Sequence, residues 1–236
     1  MQAPRDRTGR RPLLVAGLEL NIYPVDPNAV DIHDIQEGDI ILLRGSAWSS
    51  WLIGWISHGS SHVGQIMKLD DKLWFVESVS WRESGDEVML WTNNETPIMS
   101  GVSACALPML LPWYKKSGLY RPTPRLTESE LFTMRHEFLH LFGNKYEKNW
   151  IRLANAVPGI PIVKSAKEKF YCSQLTAHLF KTIGRLKNTY SAIRYKSGDY
   201  RPSDIPKAID CKYKGYFAGT KPFKYEQKRY NGDHVH

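Results

Sequence analysis

Three side chains in this 236-residue sequence have the types that acyl transfer through a thiol requires: Cys172, His62 and Glu77. Cys172 lies in the run Phe170-Tyr171-Cys172-Ser173-Gln174-Leu175. Leu175, Leu179 and Ile183 then recur at four-residue spacing beside Phe180, and Gly184 stops the pattern. That spacing predicts an amphipathic helix with the cysteine in its first turn. Unpaired backbone N–H groups and the positive end of the helix dipole favour a thiolate there. The competing reading is a buried cysteine acting as a small hydrophobe.

His62 and Glu77 belong to two apolar runs, His62 to Leu69 and Lys72 to Val79, joined by Asp70-Asp71. The joint reads as a two-residue hairpin turn. With Leu69 opposite Lys72, Gly64 falls opposite Glu77 and His62 opposite Val79. Strand side chains alternate between faces, so His62 and Glu77 emerge on one face as diagonal neighbours, with Gly64 leaving room beside them. A slip of one residue would move Glu77 to the other face. Taken singly, each is an ordinary strand residue; together with a cysteine at a helix start they supply a base and a group that fixes its ring.

These residues need a sheet and a helix to hold them. Gly38 to Gly45 reads as a buried strand; Glu87 to Trp91, Gly101 to Leu107 and Gly118 to Arg121 read as further strands. Five or six closely spaced strands predict a small antiparallel sheet or barrel. Cys105 sits among small apolar residues and reads as core filling. Thr127 and Glu130 form a capping-box start to a helix that carries Leu131, Met134, Phe138 and Leu141. On it His136-Glu137-Phe138-Leu139-His140 matches the H-E-x-x-H zinc pattern, but both histidines fall opposite the apolar stripe and no third ligand stands out, so no metal site is assigned.

Trp48, Trp51, Leu52 and Trp55 recur at helical spacing before the His62 strand. They form either a core-packing face, or the wall of a substrate cleft or a lipid-dipping surface. Trp55 and Tyr171 are the candidate substrate contacts. Ser203 or Asp204 reads as the cap of a short helix after Arg201-Pro202. Residues 144–169 read as a loop, of the kind that often gates a site.

The composition is that of an ordinary globular chain, 42% hydrophobic and 24% charged. Residues 1–30 read as an arm, 31–210 as one α+β domain, and 211–236 as a basic aromatic tail, either a terminal strand with a frayed end or a contact surface for an acidic partner. The net charge of +8 favours acidic surfaces or assemblies as partners, reached through the basic termini; it is too dispersed for a specific nucleic-acid site. No apolar run is long enough to cross a membrane, and the short run 13–18 lacks the features of a signal peptide. Three cysteines without CxxC spacing point to a reducing compartment, cytoplasmic or inside a particle. No cofactor is implied.

Gly38-Asp39-Ile40-Ile41, Ser61-His62-Val63-Gly64, Phe75-Val76-Glu77, Leu119-Tyr120-Arg121, Phe170-Tyr171-Cys172-Ser173-Gln174-Leu175 and Arg201-Pro202-Ser203-Asp204-Ile205 follow one another in this order. The order resembles the circularly permuted NlpC-type superfamily of papain-like cysteine hydrolases, and within it the YiiX/YebB-like group. The resemblance covers about residues 35–206. It implies a papain-like fold in which the histidine strand precedes the cysteine helix, with Cys172 as nucleophile, His62 as general base and Glu77 orienting the imidazole. Gln174 departs from the pattern, standing where an acidic residue often follows the cysteine, and the tail has no counterpart. The implied activity is a cysteine peptidase or amidase acting on a peptide or cell-wall-like substrate. A lipid-directed hydrolase or acyltransferase is the alternative enzyme, and a structural, virion-packaged component with the same fold is the non-enzymatic one.

Overall fold

The structure, a computed structural model, describes residues 13–15, 18–20, 29–45, 60–79, 100–146, 169–187 and 200–223. The strands are β1 (Leu13–Val15), β2 (Leu18–Leu20), β3 (Ala29–Val30), β4 (Ile40–Gly45), β5 (His62–Leu69), β6 (Lys72–Val79), β7 (Gly101–Cys105), β8 (Tyr114–Pro122), β9 (Lys145–Tyr146), β10 (Lys169–Phe170) and β11 (Cys211–Phe217). The helices are α1 (Leu107–Leu110), α2 (Glu128–Leu141), α3 (Cys172–Thr182) and α4 (Ile205–Ala208). The expected strand at Glu87 to Trp91 and the tryptophan segment with Trp48, Trp51 and Trp55 lie outside the described residues.

A seven-stranded sheet in the order β3-β11-β8-β4-β5-β6-β7 forms the body of this α+β fold. It is antiparallel except where β3 joins β11 in parallel. Alternation along the strands divides the interior in two. Ile40, Leu42, Val63, Met67, Trp74, Val76, Val102 and Ala104 face the helices and pack with Phe138 of α2 and Leu175, Leu179 and Phe180 of α3. Ile41, Leu43, Ile66, Phe75, Cys105 and Leu119 face the other way, against Leu107, Leu110 and Leu111.

Local chemistry sets the ends of these elements. Asp70 and Asp71 take φ of 48° and 60°, the pair of left-handed residues that a tight two-residue hairpin needs, and Leu69 pairs with Lys72 as the turn demands. Thr127 and Glu130 form the capping box at the start of α2. Leu131, Met134, Phe138 and Leu141 are buried on α2 as their spacing predicts. In α3 the residues from Cys172 to Ala177 are all buried, so this helix starts inside the protein and not on its surface. Asp204 accepts a hydrogen bond from the Arg201 N–H ahead of α4.

Two motifs distant in sequence meet beneath the sheet. Asp39 is fully buried, and Arg121 of β8 donates to its Oδ1 from Nε at 2.8 Å and to its Oδ2 from a terminal nitrogen at 2.7 Å. The Gln36 N–H adds a third hydrogen bond. A buried carboxylate is tolerated when its acceptor sites are filled in this way.

The domain boundary at residue 211 needs correction. Cys211–Phe217 is no tail: it enters the sheet between β3 and β8. A terminal strand is what this stretch forms, with Lys212 and Lys214 facing solvent while Tyr216 and Phe217 are buried. Residues 1–30 likewise include the β1–β2 hairpin and the edge strand β3. Among the described residues no helix is long and apolar enough to cross a membrane.

Candidate active site

The hairpin brings His62 and Glu77 together as its register predicts. The pairing of Gln65 with Val76 and of Leu69 with Lys72 puts both side chains on the sheet face that also carries Phe75. His62 Nε2 is hydrogen-bonded to Glu77 Oε2. Glu77 is 1% exposed and His62 12%. A carboxylate in this position holds the Nε2–H tautomer of a neutral ring and stabilises the ring when it is protonated.

Cys172 reaches the same ring from the helix side. Its thiol is hydrogen-bonded to His62, and the backbone N–H groups of Val63 and Ser173 also point at the sulfur. Because Nε2 is engaged by Glu77, Nδ1 is the nitrogen left for the thiol. Burial alone would push the Cys172 thiol up. The His62 charge, its hydrogen bond and the two N–H groups outweigh burial and bring it below the ordinary range for a cysteine.

Aromatic rings wall the imidazole. Tyr114 stacks on His62 with ring centroids 6.2 Å apart and planes inclined by 10°, and Phe75 meets it edge-on at 6.2 Å. Gly64 is needed for this arrangement. A Cβ there would lie 2.6 Å from Phe75 Cε2 and 2.6 Å from the Val76 carbonyl oxygen. The room that Gly64 leaves is thus filled by the Phe75 ring.

Behind Glu77, the Cys105 thiol of β7 lies 3.4 Å from Glu77 Oε1 and 3.5 Å from the Phe75 carbonyl oxygen, within hydrogen-bonding reach of both. Ser103 stands opposite Glu77 in the β6–β7 register, and its buried hydroxyl has no partner. Sequence reasoning took Cys105 as core filling and missed both this contact and Tyr114. The signal for Cys105 was alternation: it shares a face with Ser103, two residues away, but only the pairing of β7 with β6 puts that face beside Glu77.

The remaining sequence candidates separate from this cluster. Trp55 lies outside the described residues. Tyr171 precedes Cys172 and is 4% exposed. It is the residue at which the chain turns into α3. His136 and His140 are exposed, as their place opposite the apolar stripe of α2 predicts. Glu137 between them is held by His178 of α3 at 2.7 Å. Among the described residues no group of three or more His, Cys, Asp or Glu side chains converges as a metal site.

No family of known sequences and no curated protein matches the chain. Among solved structures, it is similar to the crystal structure of the metalloprotein YiiX from Escherichia coli O157:H7, DUF1105. The match has 15% identity and a TM-score of 0.50, and covers 75% of this chain and 95% of that one. At that identity the likeness speaks for the fold, and the mixed sheet with a cysteine helix packed on it is a YiiX-like fold.

Proposed function

We propose that this protein is a circularly permuted papain-like thiol hydrolase that cleaves amide bonds in a peptide or cell-wall-like substrate. The observation that carries the proposal is His62, hydrogen-bonded through Nε2 to a buried carboxylate and also hydrogen-bonded to the thiol of a helix-starting cysteine. The order of the parts supports it, because the histidine strand comes before the cysteine helix.

The reaction runs in two halves. Cys172 thiolate attacks the substrate carbonyl, and the carbonyl electron pair moves to oxygen. The Cys172 N–H in the first turn of α3 is free of intrahelical bonds and is the natural donor to that oxyanion. As the intermediate collapses, His62 imidazolium gives its Nδ1 proton to the leaving nitrogen and a thioester remains. His62 then takes a proton from water, the resulting hydroxide attacks the thioester, and Cys172 leaves as thiolate. Glu77 accepts the hydrogen bond from Nε2–H throughout and stabilises the charged ring.

The test pairs substrate with label. A panel of fluorogenic amides, spanning peptides and cell-wall peptide fragments, is offered to wild type, Cys172→Ser and His62→Ala. Iodoacetamide labelling is read across pH by mass spectrometry of the modified peptide. Expected are fast labelling confined to Cys172 near neutral pH, slowed by loss of His62, and amide cleavage that disappears in Cys172→Ser. Cleavage that survives in Cys172→Ser, or labelling shared with Cys105 and Cys211 and indifferent to His62, overturns the proposal.

A further inference from the structure

The half-buried arginines among the described residues are matched by carboxylates, Arg44 excepted. Arg121 is paired with Asp39, Arg135 with Glu37, Arg185 with Glu130 and Arg201 with Asp204. Arg44, near the end of β4, is half-buried like them and has no hydrogen bond or ion pair among the described residues. A cation held partly out of water without a counter-ion carries a desolvation cost that an arriving anion offsets.

The ladders put Arg44 beside the candidate active site. Leu43 pairs with His62, so Arg44, the next residue along β4, lies about 6 Å from His62 at the backbone, from strand spacing and rise. On its other side Gly45 pairs with Tyr114, whose ring stacks on His62. Alternation from Leu42 turns the Arg44 side chain to the face on which α3 packs, and Cys172 belongs to the same cluster as Leu42. The guanidinium is thus on the side of the sheet from which the nucleophile approaches. The neighbours across the two ladders, Ser61 ahead of β5 and Lys116 of β8, offer no carboxylate. Nor is Arg44 needed as counter-ion of the thiolate, because His62 supplies that charge.

We propose that Arg44 is a specificity residue that binds a carboxylate of the substrate, within about two residues of the scissile carbonyl. The inference rests on the thiol-hydrolase reading of Cys172, His62 and Glu77. A guanidinium presents N–H groups in one plane that match the two oxygens of a carboxylate, and a partly buried site strengthens the pairing. The reach follows from the ladder: an extended chain advances about 3.3 to 3.6 Å per residue, and Arg44 stands one strand away from the histidine. The carboxylate belongs to an acidic side chain of the substrate or to its C-terminal end. Arg44 touches no reacting atom; its role is selection.

The test uses N-iodoacetyl reagents that differ in charge, so that Cys172 itself reports the preference. They are the glutamic acid α-amide, the neutral glutamine amide and glutamine with a free carboxylate, each also with a glycine inserted after the iodoacetyl group. Labelling rates at pH 7 are read by mass spectrometry of the Cys172 peptide in wild type, Arg44→Gln and Lys115→Gln. The last variant removes the same charge from an exposed position of β8. Expected in wild type is labelling about tenfold faster by a carboxylate reagent than by its neutral counterpart, the scale of one hydrogen-bonded charge pair. Preference for the glutamic acid reagent assigns the site to an acidic side chain, and preference for the free glutamine reagent assigns it to a chain end. In Arg44→Gln the ratio falls to within about twofold of unity, and in Lys115→Gln it stays within about twofold of wild type.

A wild type without preference overturns the inference, as does a preference that survives in Arg44→Gln or is lost equally in Lys115→Gln. The triad reading stands in those cases provided that His62→Ala slows labelling by plain iodoacetamide. If His62→Ala leaves that labelling unchanged, the triad reading itself fails and takes this inference with it. Should Arg44→Gln not fold, Arg44→Met decides by the same criteria.

Discussion

Cys172 and Cys211 are both cysteines at the first position of an element, one opening helix α3 and one opening strand β11. Their surroundings act on them in opposite directions. Burial pushes the Cys211 thiol up, and the carboxylates of Asp39 and Asp210 push it further, out of the range where it ionises in neutral solution. Burial pushes Cys172 up as well, yet the His62 charge and three hydrogen bonds reverse the effect. Desolvation is common to both, so the sign is decided by the neighbours. A helix N-terminus offers N–H groups and an imidazole, whereas the start of β11 offers carboxylates.

The histidine–glutamate pairs repeat the lesson. His178 and Glu137 join α3 to α2 at 2.7 Å, with exposures of 30% and 28%. His62 and Glu77 form the same chemical pair, 12% and 1% exposed, with a thiol on the far side of the ring. One pair ties two helices in contact with water. The other is closed off and has a nucleophile to act on.

The contrast between the two cysteines is broken most severely by removing His62. In His62→Ala the thiol of Cys172 keeps its burial and loses its counter-ion. Its labelling at pH 6 is expected to fall on the order of 100-fold, with the midpoint of the pH profile shifted upward. Glu77→Gln is expected to give a smaller loss, on the order of tenfold, because the ring remains but its charge is less favoured. Both are read by mass spectrometry of the Cys172 peptide. A wild-type pH profile in His62→Ala would remove the distinction between Cys172 and any buried thiol.

Gly64→Ala sharpens the contrast by leaving every titratable group in place. The added Cβ meets the Phe75 ring and the Val76 carbonyl. The ring can turn, and the backbone oxygen cannot. A destabilisation of about 1 to 3 kcal/mol is expected, the scale of overpacking in a core, measured by urea denaturation. Since Phe75 walls His62, labelling of Cys172 slows too. Unchanged labelling in a destabilised Gly64→Ala protein would mean that the Phe75 wall has no part in holding the imidazole.

These two sites also differ in how far they could be read from sequence. The β5–β6 register was legible because Asp70-Asp71 fixes it within two residues, and with it the shared face of His62 and Glu77. The helix of Cys172 was legible from the spacing of Leu175 and Leu179 and the stop at Gly184. The surroundings of Cys211 were not. Its strand pairs with Tyr114–Pro122, far back in the chain, and nothing local sets that register. The contact of Cys105 with Glu77 and the stacking of Tyr114 on His62 depend likewise on pairings made across long connections. Local turn and cap chemistry is written in neighbouring residues, whereas the partner of a strand is chosen by the whole sheet.

If the environment at the N-terminus of α3 sets the character of Cys172, loosening the far end of that helix should cost stability and spare the thiol. Arg185, just past α3, donates to Glu130 at the start of α2, with one of its bonds at 2.9 Å. Arg185 first, together with the Thr127 backbone and hydroxyl groups, lowers the Glu130 carboxyl from its ordinary 4.5 to about 2. A depressed carboxylate contributes stability above its unfolded value, and that contribution is lost as pH falls through the folded one. Arg185→Ala is therefore expected to unfold more easily than wild type by about 1 kcal/mol near neutral pH, the difference shrinking between about pH 4.5 and 2. Cys172 labelling at pH 7 is expected to be unchanged. A slowed thiol in a folded Arg185→Ala protein would show that α3 responds as one unit from Cys172 to its far end.

His178→Ala is expected to have the smallest effect of the series. The pair it breaks is half-buried and in contact with water, and such pairs near the surface contribute roughly 0 to 1 kcal/mol. A shift of a few tenths of a kcal/mol in urea denaturation, with Cys172 labelling within about twofold of wild type, is the expected result. Against the on-the-order-of-100-fold loss in His62→Ala, that outcome would locate the difference between the two histidines in burial and in the thiol. A large loss of labelling in His178→Ala would instead make the Glu137–His178 tie part of what seats Cys172 against His62, and the two pairs would no longer be separable.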